Sequence, residues 1–195
     1  MKVVVFPGVG TNDIKPSHKY FLKSIQDGLG CDGEIFSWEH GHGSHQTNLP
    51  LKKTREFVAE VILDFQQVAV HALDMEVPEA DIYIGHSAGS ILALAQNKPA
   101  VIFGSPAALV ELIDRKESST GGLCQDIMKA NQNNILNVIN KYDILASPLD
   151  WSNVENYKYR GTWISPITYF PLSAHIGYWE NKKVIKKIVE TIKNW

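Results

Sequence analysis

Hydrophobic residues occur along this chain in two alternating patterns, short strand-like runs and longer stretches with helical spacing. The strand-like runs, typical of strands covered on both faces of a sheet, are residues 3–6, 34–38, 82–84, 99–104, 135–139 and 167–172. Helices are predicted over residues 17–29, with Ser17 as the cap, and over residues 50–73, 90–96, 107–113, 123–130 and 182–193. Residues 149–165 are rich in Trp, Tyr and Asn without a clear period, so no element is predicted there.

Strands that alternate with helices predict a mainly parallel sheet with helices on both faces, joined by right-handed crossovers. The chain has 195 residues, of which 44% are hydrophobic and 21% charged, as in one ordinary globular domain. We therefore predict an α/β fold, a three-layer α/β/α sandwich, formed by a single domain over residues 1–195.

Between the strand at 82–84 and the helix at 90–96 lies Gly-His-Ser-Ala-Gly, residues 85–89. So short a turn from strand to helix strains the central residue and brings the residues two before and two after it almost into contact. Only glycine, or a residue nearly as small, fits at those two positions. The strain lifts the Ser87 hydroxyl clear of the sheet edge, an arrangement called the nucleophile elbow. A glycine-rich turn with a solvated serine is the alternative, but the flanking strand and helix favour the elbow.

A serine hydroxyl needs a base within hydrogen-bond reach, and that base needs a partner that fixes its tautomer. In a parallel sheet such groups gather at the C-terminal ends of the strands. Six of the seven histidines precede Ser87, and His86 among them adjoins it with the wrong direction to reach its hydroxyl, so His175 is the predicted base. Asp143, just past the strand at 135–139, is the predicted orienting carboxylate. Asp150 and Asp126 are substitutes for it, and Glu155 is a remote third.

The remaining parts of the site are predicted from position and composition. Backbone N–H groups of Val9, in the first loop, and Ala88, at the helix start, would hold a developing oxyanion. An apolar acyl pocket could be supplied by Trp38, Tyr169 and Trp179, although aromatic residues are more often core or rim. Residues 114–122 form a polar loop that is at most a small lid.

Other features limit the classes of function. His40, His42 and His45 lie in one loop, but no second, distant group of ligands is evident, so neither a metal nor an organic cofactor is expected. The net charge of −2 disfavours nucleic acid as a partner. Cys31 and Cys124 suggest free thiols in a reducing compartment. The N-terminal apolar run is too short for a signal peptide, and no segment approaches a membrane span, so we expect a cytoplasmic protein without stable membrane anchoring.

Ser87 in Gly-His-Ser-Ala-Gly, followed by Asp143 and then His175, resembles the α/β-hydrolase superfamily, whose triad follows this order. Val-Val-Val-Phe-Pro-Gly-Val-Gly, residues 3–10, resembles the family's first-loop oxyanion segment, although Pro7 stands where many members have His. Residues 103–106, 138–148 and 175–178 also resemble the corresponding parts of lipase-like members.

The resemblance implies a compact α/β-hydrolase fold without a large cap domain, acting as a serine esterase or lipase on small-molecule esters. The same triad also serves thioesterases, amidases and acyltransferases, and these remain alternatives. A binding module that kept the fold without the chemistry is an alternative from another class.

Overall fold

The computed structural model describes residues 1–8, 14–38, 75–108, 123–143, 145–161 and 174–195. Within these ranges the strands are β1 (Lys2–Phe6), β2 (Asp32–Ile35), β3 (Ile82–His86), β4 (Ala100–Phe103), β5 (Ile135–Asn140) and β6 (Val154–Tyr159). The longer helices of the same ranges are α1 (Pro16–Leu29), α2 (Gly89–Ala95), α3 (Leu123–Ala130) and α4 (Lys182–Lys193). The strands pair in parallel throughout, in the order β2-β1-β3-β4-β5-β6.

The apolar runs are buried because both faces of the sheet are covered. Successive side chains of a strand point to opposite faces, so Val3 and Val5 pack into one core while Val4 and Phe6 pack into another. Helices α1 and α4 cover the first face, and α2 and α3 cover the second. The predicted three-layer α/β/α sandwich with a parallel sheet is therefore confirmed.

The order of the strands places a switch point between β1 and β3. Strand β1 pairs with β2 on one side and with β3 on the other, so the chain extends the sheet in opposite directions from this place. Ligands of open parallel sheets bind in the crevice at the C-terminal ends of such strands. Pro7 and Gly8, which follow β1, and the Gly-His-Ser-Ala-Gly turn, which begins within β3, both lie at that position.

The bounds of the predicted elements differ from the structure where local signals were weak. Helices α3 and α4 have the predicted bounds, whereas β2 occupies Asp32–Ile35 rather than residues 34–38. Ser17 is not the cap of α1, because Lys15 holds that position and Pro16 begins the helix. Proline suits the first helical position, since its fixed φ is already helical and its missing N–H would have no partner there.

Strand β6 was not predicted, because it lies at the edge of the sheet and its sequence, Val-Glu-Asn-Tyr-Lys-Tyr, is mostly polar. Its parallel pairing with β5 and the Asn156 side chain hold it in place. Asn156 Oδ1 accepts hydrogen bonds from the Leu149 N–H at 3.0 Å and from Asn137 Nδ2 at 2.9 Å. Tertiary contacts, rather than periodicity, therefore specify this element.

Several predicted segments lie outside the described residues. These are the helix at 50–73, most of the loop at 7–12, most of the helix at 107–113, the loop at 114–122 and the strand at 167–172. None of the helices in the described ranges combines the length and apolarity needed to cross a membrane.

Candidate active site

The turn that carries Ser87 is strained and closely packed. Ser87 has a φ of +54°, in the left-handed region that non-glycine residues rarely adopt, and its N–H donates to the Phe103 carbonyl at 3.1 Å. A Cβ on Gly85 would overlap the backbone of Gly89, and one on Gly89 would lie 2.5 Å from the Pro7 carbonyl oxygen. Both glycines are therefore required by backbone contact, as the predicted elbow demands.

Two buried serines support this turn from the side of α2. The Ser90 hydroxyl donates to the Ser87 carbonyl at 2.5 Å, and the two hydroxyl oxygens of Ser90 and Ser105 are 2.7 Å apart. Ser105 also accepts from the Ala107 N–H at 3.2 Å. Because the Ser90 proton is used on the carbonyl, Ser105 must donate to Ser90. The chain of hydrogen bonds fixes the carbonyl of the strained residue.

Asp143 and His175 form a buried pair at the same edge of the sheet. Asp143 follows β5, and its N–H donates to the Asn140 carbonyl at 2.9 Å in a tight turn. His175 Nδ1 lies 2.9 Å from Asp143 Oδ2. A carboxylate accepts hydrogen bonds, so Nδ1 carries a proton, and in the neutral form of such a ring Nε2 keeps its lone pair. This is the tautomer that a general base requires.

The carboxylate of Asp143 has two further donors. The Leu145 N–H donates to Oδ1 at 3.0 Å, and the Tyr178 hydroxyl donates to Oδ2 at 2.9 Å. Burial alone would raise the pKa of Asp143, but the hydrogen bond and charge of His175, with these two donors, outweigh it and lower the pKa. Asp143 therefore stays ionised at neutral pH, although it is only 5% exposed.

Tyr178 had no predicted role, yet it connects this carboxylate to the sheet. Its oxygen accepts from the Asn140 N–H at 2.8 Å, at the end of β5. Because the ionised carboxylate of Asp143 can only accept a hydrogen bond, the hydroxyl proton of Tyr178 points to it. Burial and the charge of Asp143 raise the pKa of Tyr178, so it remains a neutral donor. The spacing of three residues from His175 is the only sequence signal that could have pointed to it.

Gly104 brings the Asp143–His175 pair close to the end of β4. Its φ is +57°, and a Cβ there would lie 3.1 Å from His175 Cε1 and 3.2 Å from Asp143 Oδ2. The preceding residue, Phe103, accepts the Ser87 N–H through its carbonyl. Ser87 and the pair thus meet at adjacent strand ends. No hydrogen bond between the described residues joins the Ser87 hydroxyl to His175, and in free enzymes such contacts are often longer than in complexes.

His86 is the second histidine of the site and was not predicted to belong to it. It is buried at the end of β3, and its Nε2 lies 2.7 Å from the His175 carbonyl oxygen. Burial, with the neighbouring His175, lowers the pKa of His86 to about 3, so the ring is neutral. The sequence excluded His86 as the base of Ser87 by its direction along the strand, but it did not indicate the contact with His175.

The structure places the predicted substrate-contacting tryptophans in the core. Trp179 is 2% exposed and packs against Phe21 and Phe103, with ring centroids 5.2 and 4.9 Å away. Trp38 is 5% exposed, and its indole N–H donates to the Pro7 carbonyl at 2.8 Å. Both rings are therefore buried, and their role as substrate contacts stays a prediction. Tyr169 lies outside the described residues.

The remaining predicted positions are the oxyanion-hole residues, the substitutes for Asp143 and the histidine loop. Ala88 is buried directly before α2, and Val9 lies outside the described residues, but the adjoining Gly8 is packed against Ser87. The three substitutes considered for Asp143 are all exposed: Asp126, Asp150 and Glu155. Residues 40–45 are not described, and the described residues contain no group of His, Cys, Asp or Glu that could hold a metal ion.

Comparisons with known proteins agree on the architecture. No protein-family model and no curated protein matches the sequence. The chain is similar to the esterase domain of a Rhodothermus marinus protein, with a TM-score of 0.52 and 12% identity over 99% of this chain and 84% of that one. An esterase from Pyrobaculum calidifontis matches with a TM-score of 0.49 and 13% identity over 99% of this chain and 76% of its own. The likeness to the Rhodothermus marinus domain and the six-stranded parallel sheet of the described residues show that the chain has the α/β-hydrolase fold.

Proposed function

We propose that this chain is a serine esterase that cleaves small-molecule carboxylic esters through an acyl-enzyme on Ser87. The observation that carries the proposal is the buried hydrogen bond of 2.9 Å between Asp143 and His175, at the sheet edge where Ser87 has a left-handed backbone. A histidine held with Nδ1 protonated and Nε2 free is suited to take a proton from a serine. The mechanism needs neither a metal nor an organic cofactor.

In acylation, the Ser87 oxygen attacks the ester carbonyl carbon while its proton passes to His175 Nε2. The ionised Asp143 stabilises the imidazolium that forms. The backbone N–H groups of Val9 and Ala88 are proposed to hold the oxyanion of the tetrahedral intermediate, a role in which one donor contributes about 2.7–4 kcal/mol. When the intermediate collapses, His175 gives its proton to the departing alcohol and the acyl group remains on Ser87.

In deacylation, a water molecule takes the place of the serine. It attacks the acyl carbon and gives a proton to His175, and the Ser87 oxygen then recovers that proton as the carboxylic acid leaves. His175 therefore acts as base and acid in each half-reaction.

The test is a measurement of intact mass after exposure to a fluorophosphonate, a probe that needs an activated serine but no knowledge of the substrate. Wild type is expected to gain one adduct, and Ser87→Ala none. Ser24→Ala is the matched control, because its hydroxyl merely bonds the Tyr20 carbonyl within α1, and it should label like wild type. His175→Ala should label at least about 100-fold more slowly, the usual contribution of a general base.

Hydrolysis of p-nitrophenyl esters of increasing acyl length would then distinguish an esterase from the other acyl-transfer activities that the triad permits. Folded wild-type protein that takes no adduct would contradict the proposal and leave a binding module on the hydrolase fold as the alternative.

A further inference from the structure

His86 lies between the proposed nucleophile, Ser87, and the proposed base, His175. It precedes Ser87 in the chain, and its Nε2 is 2.7 Å from the main-chain carbonyl of His175, which is 89 residues away in sequence. A carbonyl oxygen only accepts, so Nε2 carries the proton and donates. The two imidazole rings are 4.8 Å apart, and the His86 ring also packs against Phe103 and Trp179.

We propose that His86 is a positioning residue that fixes the backbone of His175 to the strand carrying Ser87. The inference rests on the proposed function, because the alignment it maintains is that of the nucleophile with its base. His86 touches neither substrate nor reacting atoms in this role, and it acts entirely through the carbonyl of His175.

Among the described residues, the other hydrogen bonds between residues 174–178 and the sheet lead to a different strand. Asn140 Nδ2 donates to the Ala174 carbonyl at 3.0 Å, and the Tyr178 hydroxyl bonds both the Asn140 N–H and Asp143. All of these partners lie at the end of β5 or just beyond it. They hold His175 to its carboxylate, but they do not hold it to Ser87.

The hydrogen bond from His86 connects the His175 backbone to β3, the strand that leads into Ser87. Strand β3 is internal, paired with β1 on one side and β4 on the other, so its end is a fixed reference within the sheet. With His86 present, residues 174–178 are attached to the ends of both β3 and β5. Without it, the Asp143–His175 pair would persist while its position relative to Ser87 would be less restricted.

Two variants separate the hydrogen bond from the packing of the ring. His86→Gln keeps a donor nitrogen at the same number of bonds from Cβ as the imidazole Nε2, whereas His86→Leu fills the site without a donor. His18→Leu is the control for loss of a buried histidine. The His18 ring also packs on Trp179, at 4.4 Å, but its Nδ1 accepts from the Lys15 N–H at the start of α1.

The experiment measures two quantities for each variant, the rate constant of fluorophosphonate labelling and the hydrogen–deuterium exchange of a peptide containing residues 174–178. We expect His86→Leu to slow labelling between about 10-fold and 100-fold, as a misplacement near 1 Å would, and to speed exchange in this peptide. His86→Gln should recover both values to near wild type, and His18→Leu should change neither.

Equal loss in the Leu and Gln variants, or labelling by His86→Leu at the wild-type rate, would overturn the proposal. Should wild type take no label at all, the proposed function fails, and the exchange data still decide on the positioning role. Faster exchange confined to His86→Leu would support the connection, and unchanged exchange would refute it.

Discussion

Replacing Tyr178 by Phe tests how the carboxylate of the site is held. The side chain is fully buried, and its hydroxyl both accepts from the Asn140 N–H at 2.8 Å and donates to Asp143 Oδ2 at 2.9 Å. The substitution removes one oxygen and keeps the ring, which packs against Phe103 and Tyr159 at 5.5 and 5.7 Å. The change is therefore confined to two hydrogen bonds.

The expected change in the free energy of unfolding follows from the two groups that would lose their hydrogen-bond partner, the Asp143 carboxylate and the Asn140 N–H. A hydrogen bond to an ionised group contributes about 1.5–3 kcal/mol, and a buried N–H without a partner costs about 1–3 kcal/mol. The two effects share one oxygen and are not simply additive. We expect Tyr178→Phe to lower the free energy of unfolding by about 2–4 kcal/mol at pH 7, which most domains survive.

The part of this loss that comes from Asp143 depends on pH. The pKa of Asp143 is lowered in the folded protein, so the associated stability is present above the unfolded value of about 3.9 and is lost as the pH falls through the folded value. The difference between Tyr178→Phe and wild type should therefore be greatest above about pH 4 and shrink in stronger acid. The part due to the Asn140 N–H should persist.

Urea unfolding followed by tryptophan fluorescence, between pH 7 and pH 3, measures these differences. Tyr159→Phe is the matched control, since the hydroxyl of Tyr159 is buried with no hydrogen-bond partner among the described residues. Its removal should change stability by less than about 0.5 kcal/mol or increase it. If both variants lost the same free energy, or if Tyr178→Phe were within that limit, the hydroxyl of Tyr178 would not have the role deduced from its contacts.

Three further predictions concern Gly104, Gly85 and the buried His86. Gly104→Ala should slow fluorophosphonate labelling by at least about 10-fold, because its Cβ would press on His175, whereas Gly30→Ala, at a similar φ of +63° with nothing within 4 Å, should label normally. Gly85→Ala should lower the free energy of unfolding by more than about 3 kcal/mol in urea titrations, because its Cβ would lie 2.5 Å from Ser90 Cα. Burial is the main cause that lowers the pKa of His86 to about 3; His175 and His18 add to the effect, and the charge of Asp143 opposes it. The His86 contribution to stability should therefore rise between about pH 3 and 6.5 by up to about 1.4 kcal/mol per pH unit. In urea titrations His86→Gln should remove this contribution, whereas the similar one of His18, whose pKa burial lowers to about 4, should remain.

The parts of the fold that could be predicted are those with local signals. The buried strands are mostly apolar runs, and the elbow needs small residues at fixed spacing because Gly85 packs against the backbone of Gly89, four residues later. Chain order selected His175 among the histidines, and the position just past a predicted strand selected Asp143. Whether these two would meet depends on the segment after Ala174, whose position is set by bonds to residues more than 30 positions away.

The residues that were missed are specified by tertiary structure. His86 stands in the Gly-His-Ser-Ala-Gly motif and Tyr178 three residues after His175, but local sequence does not show what they do. Their partners lie 38 residues away for Tyr178 and 89 residues away for His86. The burial of Trp38 and Trp179 depends on packing as well. Trp38 was predicted at the end of a strand and Trp179 after the last strand, and neither position by itself distinguishes a pocket wall from the core. Sequence patterns identify which groups are chemically competent, and packing determines which of them meet.

Three departures from ordinary backbone and burial preferences lie together at one edge of the sheet, while Asn97, with a φ of +50°, lies elsewhere, before the start of β4. Ser87 has a left-handed φ, Asp143 is an ionised carboxyl out of water, and His86 is a buried imidazole. Strained backbone of this kind costs about 1–3 kcal/mol per residue and persists only where the surroundings enforce it. Here they do, because the Ser87 N–H bonds the end of β4, the Tyr178 hydroxyl bonds the Asp143 carboxylate, and His86, at the end of β3, donates to the His175 carbonyl. A surface turn with a solvated serine would need none of this support, so the distribution of strain itself favours a catalytic interpretation of the edge.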